Sequence, residues 1–175
     1  MKSKIIIIIL TVLLGCLLCC PNLTLVKQKD REIHNISLPT HLIEEIQRES
    51  YNLSDVEIIN YSVEKTATLL EFSFQESIDL NANSKGHCVT YARLCATICN
   101  VAFAHNNIDS KAKCVVGYVK WGNINLCSLS SKLFRKHSNN FVNHDFVEIN
   151  GYNYTIFVDP TMYDATHNDL KLINE

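Results

Sequence analysis

Apolar residues fall along this chain in stretches whose spacing changes, and the changes predict its elements. Ile5 to Cys20 is almost wholly apolar and has no period. Pro21 to Ser37 is polar and irregular, the pattern of a linker. Ser37-Leu-Pro39-Thr40 then starts a short helix with Leu42, Ile43 and Ile46 on its inner face. Ser54-Asp-Val-Glu57 has the form of a capping box, a hydroxyl residue followed three positions later by Glu. It opens a second helical stretch carrying Ile58, Ile59, Val63, Leu69, Leu70 and Phe72. Gln75 to Lys85 is polar and reads as a loop.

From Cys88 the pattern turns helical again. Ala92, Cys95, Ala96, Cys99 and Phe103 continue one apolar stripe, and His105-Asn106-Asn107 ends it, since Asn tolerates the left-handed conformation that closes helices. Lys111 to Trp121 alternates and is rich in valine and aromatics, which predicts a strand. Gly122 to Asn143 reads as a long loop with a short helix around Leu129 to Phe134. Two strands, His144 to Ile149 and Tyr152 to Asp159, flank Asn150-Gly151, the strongest short-range hairpin signal, and Pro160 stops the second. Helices followed by antiparallel strands make an α+β domain. In it N-terminal helices and a helix beginning at Cys88 pack on an antiparallel sheet.

The apolar start changes the picture of the whole. Lys2 and Lys4 precede it, and its sixteen residues fall short of the roughly 20 that span a bilayer, as in a signal peptide. Leu13-Leu14-Gly15-Cys16 resembles a bacterial lipobox, so a lipoprotein signal, a plainly cleaved signal and a retained N-terminal helix stay open. The expected organisation is residues 1–20 as targeting segment, 21–37 as linker and 38–175 as one domain. The address is exported: cell envelope, periplasmic or membrane-anchored, or secreted. Of 16 basic and 18 acidic side chains, Lys2 and Lys4 belong to the targeting segment, leaving 14 against 18 with no basic stripe. Nucleic-acid binding has no electrostatic footprint here. Asn22, Asn35, Asn52, Asn60 and Asn153 stand in Asn-X-Ser/Thr triplets; Asn153 falls inside the hairpin, which favours a bacterial source.

Eight cysteines include Cys16, Cys19 and Cys20 in the targeting segment, leaving Cys88, Cys95, Cys99, Cys114 and Cys127. An odd number in an exported domain leaves at least one free thiol. The other four pair as two disulfides or, as the shared helix face of Cys95 and Cys99 favours, act as small hydrophobes. No C-x-x-C pair occurs among these five, so neither a structural zinc nor any other metal or cofactor is expected.

Cys88 is the thiol placed for chemistry. At a helix N-terminus, unpaired backbone N–H groups and the helix dipole stabilise a thiolate, and Gly86 lets the chain turn into the helix. A nucleophilic cysteine needs a base, and the base needs a third group to orient it. His144 and Asp159 meet that need. With a two-residue turn Ile149 pairs with Tyr152, and Asp159 is a diagonal neighbour of His144 at about 7–8 Å between backbones. With a four-residue loop Ile149 pairs with Tyr154, and the two face each other. Only an odd-length loop separates them. Each residue also has a plainer reading: Cys88 as the first residue of the stripe, His144 as a solvated strand end, Asp159 as a turn former. Asp145 projects to the face opposite His144. His34, His41, His87, His105, His137 and His167 lack such a partner, and His87 adjoins Cys88 but projects in a different direction.

Gly86-His-Cys88-Val-Thr-Tyr-Ala92, Cys114-Val-Val-Gly117-Tyr-Val, His144-Asp-Phe-Val-Glu-Ile149 and Phe157-Val-Asp159-Pro160 together resemble the core of the transglutaminase-like superfamily, over about residues 54–165. That resemblance implies a papain-like Cys-His-Asp catalytic triad with Cys88 as nucleophile, His144 as general base and then acid, and Asp159 as orienter. It implies a cysteine protease or amidase, a hydrolase acting on a peptide or protein substrate in the cell envelope. A protein-crosslinking transglutaminase and an inactive binding or scaffolding module are the alternatives. The sequence departs from the family at Val89, where a larger residue is usual. It leaves the oxyanion donors open among the Cys88 N–H, Trp121 and Asn81–Lys85, and it has no room for calcium sites or added β-domains.

Overall fold

A computed structural model of the chain describes residues 23–31, 36–75, 77–80, 84–121, 124–125, 144–166 and 171–174. The targeting segment, Cys127 and the short helix expected around Leu129–Phe134 lie outside them. In chain order the elements are β1 (Leu23–Asp30), α1 (Thr40–Glu49), α2 (Asp55–Leu69), β2 (Leu70–Phe72), β3 (Ser84–Gly86), α3 (Cys88–His105), β4 (Lys111–Trp121), β5 (Ile124–Asn125), β6 (His144–Asn150), β7 (Thr155–Val158), α4 (Pro160–Thr166) and β8 (Lys171–Asn174). The architecture is α+β. The main sheet runs β1-β4-β6-β7-β8 with every pair antiparallel and β5 hairpinned onto β4, while β2 and β3 form a separate parallel pair. Among the described residues no helix is long and apolar enough to cross a membrane.

Helix α3 is the hub. Ala92, Cys95, Ala96, Cys99 and Phe103 are buried as the stripe predicts, but so are Tyr91, Leu94, Ile98 and Ala102 on its other faces. A helix buried nearly all round must be covered from several sides. One side meets Ala112, Cys114, Val147, Ile149, Ile156 and Val158 of the sheet, and α1 and α2 supply Leu42, Ile46, Ile58, Ile59 and Val63. Helix α2 starts where expected: the Glu57 carboxylate accepts the Ser54 N–H at 2.8 Å and the Ser54 hydroxyl at 2.6 Å. The α3 end is closed by Asn107 at φ 56°, left-handed as the sequence predicts.

Several expectations are corrected. The stretch read as linker contains β1, which pairs with β4 from Leu23↔Trp121 to Asp30↔Val115 with a bulge at Lys27–Lys29. Its polar second half hides it, because Lys27, Lys29 and Asp30 suit a sheet edge rather than an alternating buried strand. Lys27 pairs with Asp30 at 2.7 Å and with the buried Glu148 of β6. The second helical stretch ends at Leu69, and Leu70–Phe72 continues as β2 beside β3, which occupies part of the expected loop. The β6–β7 loop has four residues, 151–154, with Asn150↔Thr155 as the closing pair. Tyr154 leaves the strand because its hydroxyl donates to Asp55 at 2.7 Å and its ring lies against Gly151, where a Cβ would stand 2.2 Å from the ring.

Gly117 admits no side chain. A Cβ there would lie 2.0 Å from the Val26 carbonyl oxygen and 2.9 Å from the Phe146 ring. Backbone cannot yield cheaply, so Gly117→Ala is expected to cost about 3 kcal/mol by overpacking. In a chain of this size that lowers the melting temperature by about 10 °C. An unchanged melting curve would contradict the β1–β4 contact.

Candidate active site

Three chain ends converge beside the N-terminus of α3. Cys88 is the first residue of that helix and is half-buried. His87 is the N-cap, its backbone extended and its Nδ1 accepting the Val89 N–H at 3.3 Å. That engagement makes His87 a cap. Gly86 serves space rather than a left-handed turn: a Cβ would sit 2.5 Å from the Cβ of buried Thr90.

His144 is the first residue of β6, opposite Gly117 on β4. Asp159 directly follows β7 and starts α4. The observed register, Val147↔Val158 and Glu148↔Phe157, is one step beyond either register considered from sequence, yet it preserves the parity. Asp159 therefore falls in line with Phe146, two positions from His144, and the side chains meet: His144 Nε2 lies 2.5 Å from Asp159 Oδ2. The other oxygen, Oδ1, accepts the N–H groups of Thr161 and Met162, both at 3.1 Å. Asp159-Pro160 is thus an N-cap followed by proline at the first helical position, a helix start that the strand-stop reading of Pro160 overlooked.

Nε2 of the imidazole is taken by Asp159, and the nearby Cys88 side chain also acts to raise the His144 pKa. Burial alone would lower the His144 pKa. The negative charge of Asp159, its hydrogen bond and the Cys88 contact outweigh that and hold it well above the ordinary 6.5. The side chain is 16% exposed, enough for a substrate atom to approach. The structure thus brings Cys88 close to the His144–Asp159 pair.

Sequence reasoning missed two neighbours. Asp145 alternates to the face opposite His144, but α3 packs on that same face, and Asp145 Oδ2 lies 3.9 Å from Cys88 Sγ. Oδ1 is 3.9 Å from Cys114 Sγ. The carboxylate is 1% exposed and is gripped by Arg31, whose Nη2 donates to Oδ2 at 2.9 Å while Nε pairs with Oδ1. Burial pushes the Asp145 carboxyl above its usual range, and Arg31 opposes that only in part. Burial, with the charge of Asp145, pushes the Cys114 thiol up to about 12, which leaves it protonated and inert. The signal was present: an aspartate inside an otherwise apolar strand calls for a cationic partner.

Cys88, Cys95, Cys99 and Cys114 are free thiols, so Cys95, Cys99 and Cys114 form none of the disulfides considered. Cys95 and Cys99 are wholly buried, and the neighbouring Cys99 together with burial holds the Cys95 thiol well above its usual range. Among the described residues no cluster of three or more His, Cys, Asp or Glu could hold a metal. The Trp121 side chain and residues 81–83, named as oxyanion candidates, lie outside the described residues, as do His34, His137 and His167. Comparison of the chain with family models, curated proteins and solved structures found no match.

Asp159→Asn separates charge from shape, since Asn caps helices as well as Asp does. Fold stability should fall most below pH 6.5 and least at high pH. In the wild type the raised His144 pKa adds stability that is complete below 6.5 and is lost as pH rises through the folded-state value. Proton NMR of the His144 ring should show the imidazolium persisting well above pH 6.5, and deprotonating at lower pH in Asp159→Asn. Equal titration in both proteins would contradict the charge coupling.

Proposed function

We propose that this protein is a thiol-dependent acyl-transfer enzyme of the transglutaminase-like kind, hydrolysing amide bonds in peptide or protein substrates. The grouping of the half-buried Cys88 at a helix N-terminus with the His144–Asp159 pair is the observation that supports it. A cysteine at that place gains thiolate character from the dipole, and a neighbouring imidazolium strengthens it.

The reaction follows from these groups. The Cys88 proton passes to His144, and the thiolate attacks the amide carbonyl carbon to form a tetrahedral adduct. The C–N bond then breaks as the imidazolium gives its proton to the leaving amine, leaving a thioester on Cys88. Water attacks the thioester, His144 takes its proton, and the C–S bond breaks to free the acid and restore the thiol–imidazole pair. Asp159 orients the imidazole and compensates the imidazolium throughout. The backbone N–H of Cys88 is one donor for the oxyanion. Hydrolysis is preferred to crosslinking because no second site for an amine acceptor is legible. An exported location, with an envelope peptide or protein as substrate, follows from the N-terminal segment alone.

One observation favours a second reading, a binding module that keeps the fold without activity. A buried carboxylate 3.9 Å from the sulfur opposes thiolate formation unless it is neutralised.

Labelling with a chloroacetamide at neutral pH distinguishes the two. An enzyme labels at Cys88 before the buried Cys95, Cys99 and Cys114, and Cys88→Ala removes that labelling. His144→Ala should slow it by about a hundredfold or more, the usual scale for loss of a general base. Equal, slow labelling of all the thiols would support the inactive module.

A further inference from the structure

We infer that Arg31 is a positioning residue for Cys88: by holding and neutralising Asp145, the carboxylate on which the thiol rests, it lets the thiol proton pass to His144 instead. This rests on the acyl-transfer reading above and deepens it.

The thiol of Cys88 has one proton and two acceptors within reach. His144 is one, and Asp145 Oδ2 at 3.9 Å is the other. Delivery to the carboxylate would be unproductive, because Asp145 faces away from the imidazole along β6 and shares α3's side of the sheet with Val147. A free carboxylate there would also repel the thiolate through a buried, low-dielectric path. Arg31 removes both problems. Its Nη2 donates to Oδ2 while Nε stands in ion-pair range of Oδ1, so the guanidinium charge lies across the whole carboxylate.

The other charged or titratable groups around the pair come from every element that meets there. His144 and Asp145 belong to β6, Asp159 follows β7, and Cys114 belongs to β4. His87 precedes α3, and Arg93 stands on it near Cys114. Of these, Arg31 is the cation hydrogen-bonded to Asp145 Oδ2 and ion-paired with Oδ1, and it is the residue after β1. The strand that looks like a tether therefore delivers a side chain to the reaction centre.

The test is the pH–rate profile of chloroacetamide labelling at Cys88 in the full chain, for the wild type and four variants. Arg31→Ala should react about tenfold or more slowly at pH 7, with its profile moved to higher pH, because a bare carboxylate then adjoins the sulfur. Asp145→Asn should move the profile to lower pH, since the cation stays and the anion goes. Arg31→Met combined with Asp145→Asn should return close to wild type, and it decides the question even if Arg31→Ala fails to fold. Arg31→Lys should fall between wild type and Arg31→Ala. A profile unchanged in Arg31→Ala, a slower Asp145→Asn, or a double variant well below wild type overturns the inference while leaving the triad intact. A wild-type Cys88 no more reactive than an ordinary exposed thiol removes the acyl-transfer reading and this inference together.

Discussion

Asp159 is a buried carboxylate, and a buried carboxylate is tolerated only when its lone pairs are all engaged. It meets that condition by serving two elements at once. Oδ1 takes the first free N–H groups of α4, and Oδ2 takes the ring of His144. The cap fixes the carboxylate's orientation, so the imidazole is held by a group that cannot swing away. Everything proposed for Cys88 depends on that anchorage. A neutral partner would keep the geometry, but it would not hold the imidazolium charged well above its ordinary range.

The second demand falls on α3. A thiol at a helix start is useful only if the helix is driven against the strand that carries the base. Here the drive is apolar. Tyr91, Leu94, Cys95, Ile98 and Cys99 are fully buried between α1, α2 and the sheet, so the helix has one seat and little freedom to shift. Tyr91 adds a polar tie, its hydroxyl donating to Asp164 of α4 at 2.6 Å and meeting the Leu70 carbonyl at 3.1 Å. The helix bearing Cys88 and the helix capped by Asp159 are thereby fastened to each other, independently of His144.

Much of this was legible in the sequence, for identifiable reasons. The stripe from Cys88, the alternation of Lys111–Trp121 and the Asn107 closure are strong local signals, and the structure realises each of them. The juxtaposition of His144 and Asp159 was legible through parity: any even loop leaves the two in line, so the error in register did no harm. Other features were hidden because their causes are not local. β1 is an edge strand whose charges answer Glu148 and Asp145 across the sheet, more than a hundred residues later. Asp145 was set aside on correct alternation, because the pattern of a strand does not tell which helix will lie on each face. α4 was masked by Pro160, which ends a strand and begins a helix equally well.

The N-terminal half of the sheet thus belongs to the proposed site as much as to the fold. β4 is central: it pairs with β1, which leads to Arg31, and with β6, which carries His144 and Asp145. Its Gly117 lets the β1 backbone approach closely at the point opposite His144. The most direct measurement is the capture of an acyl-enzyme. The protein would be mixed with an activated acyl ester, quenched in acid and weighed by intact-mass spectrometry with peptide mapping. The expected result is one acyl group on Cys88, released by hydroxylamine as a thioester should be and absent when His144 is replaced by alanine. An acyl group spread over other residues, or formed equally without His144, would show that sulfur, imidazole and carboxylate do not act as a unit.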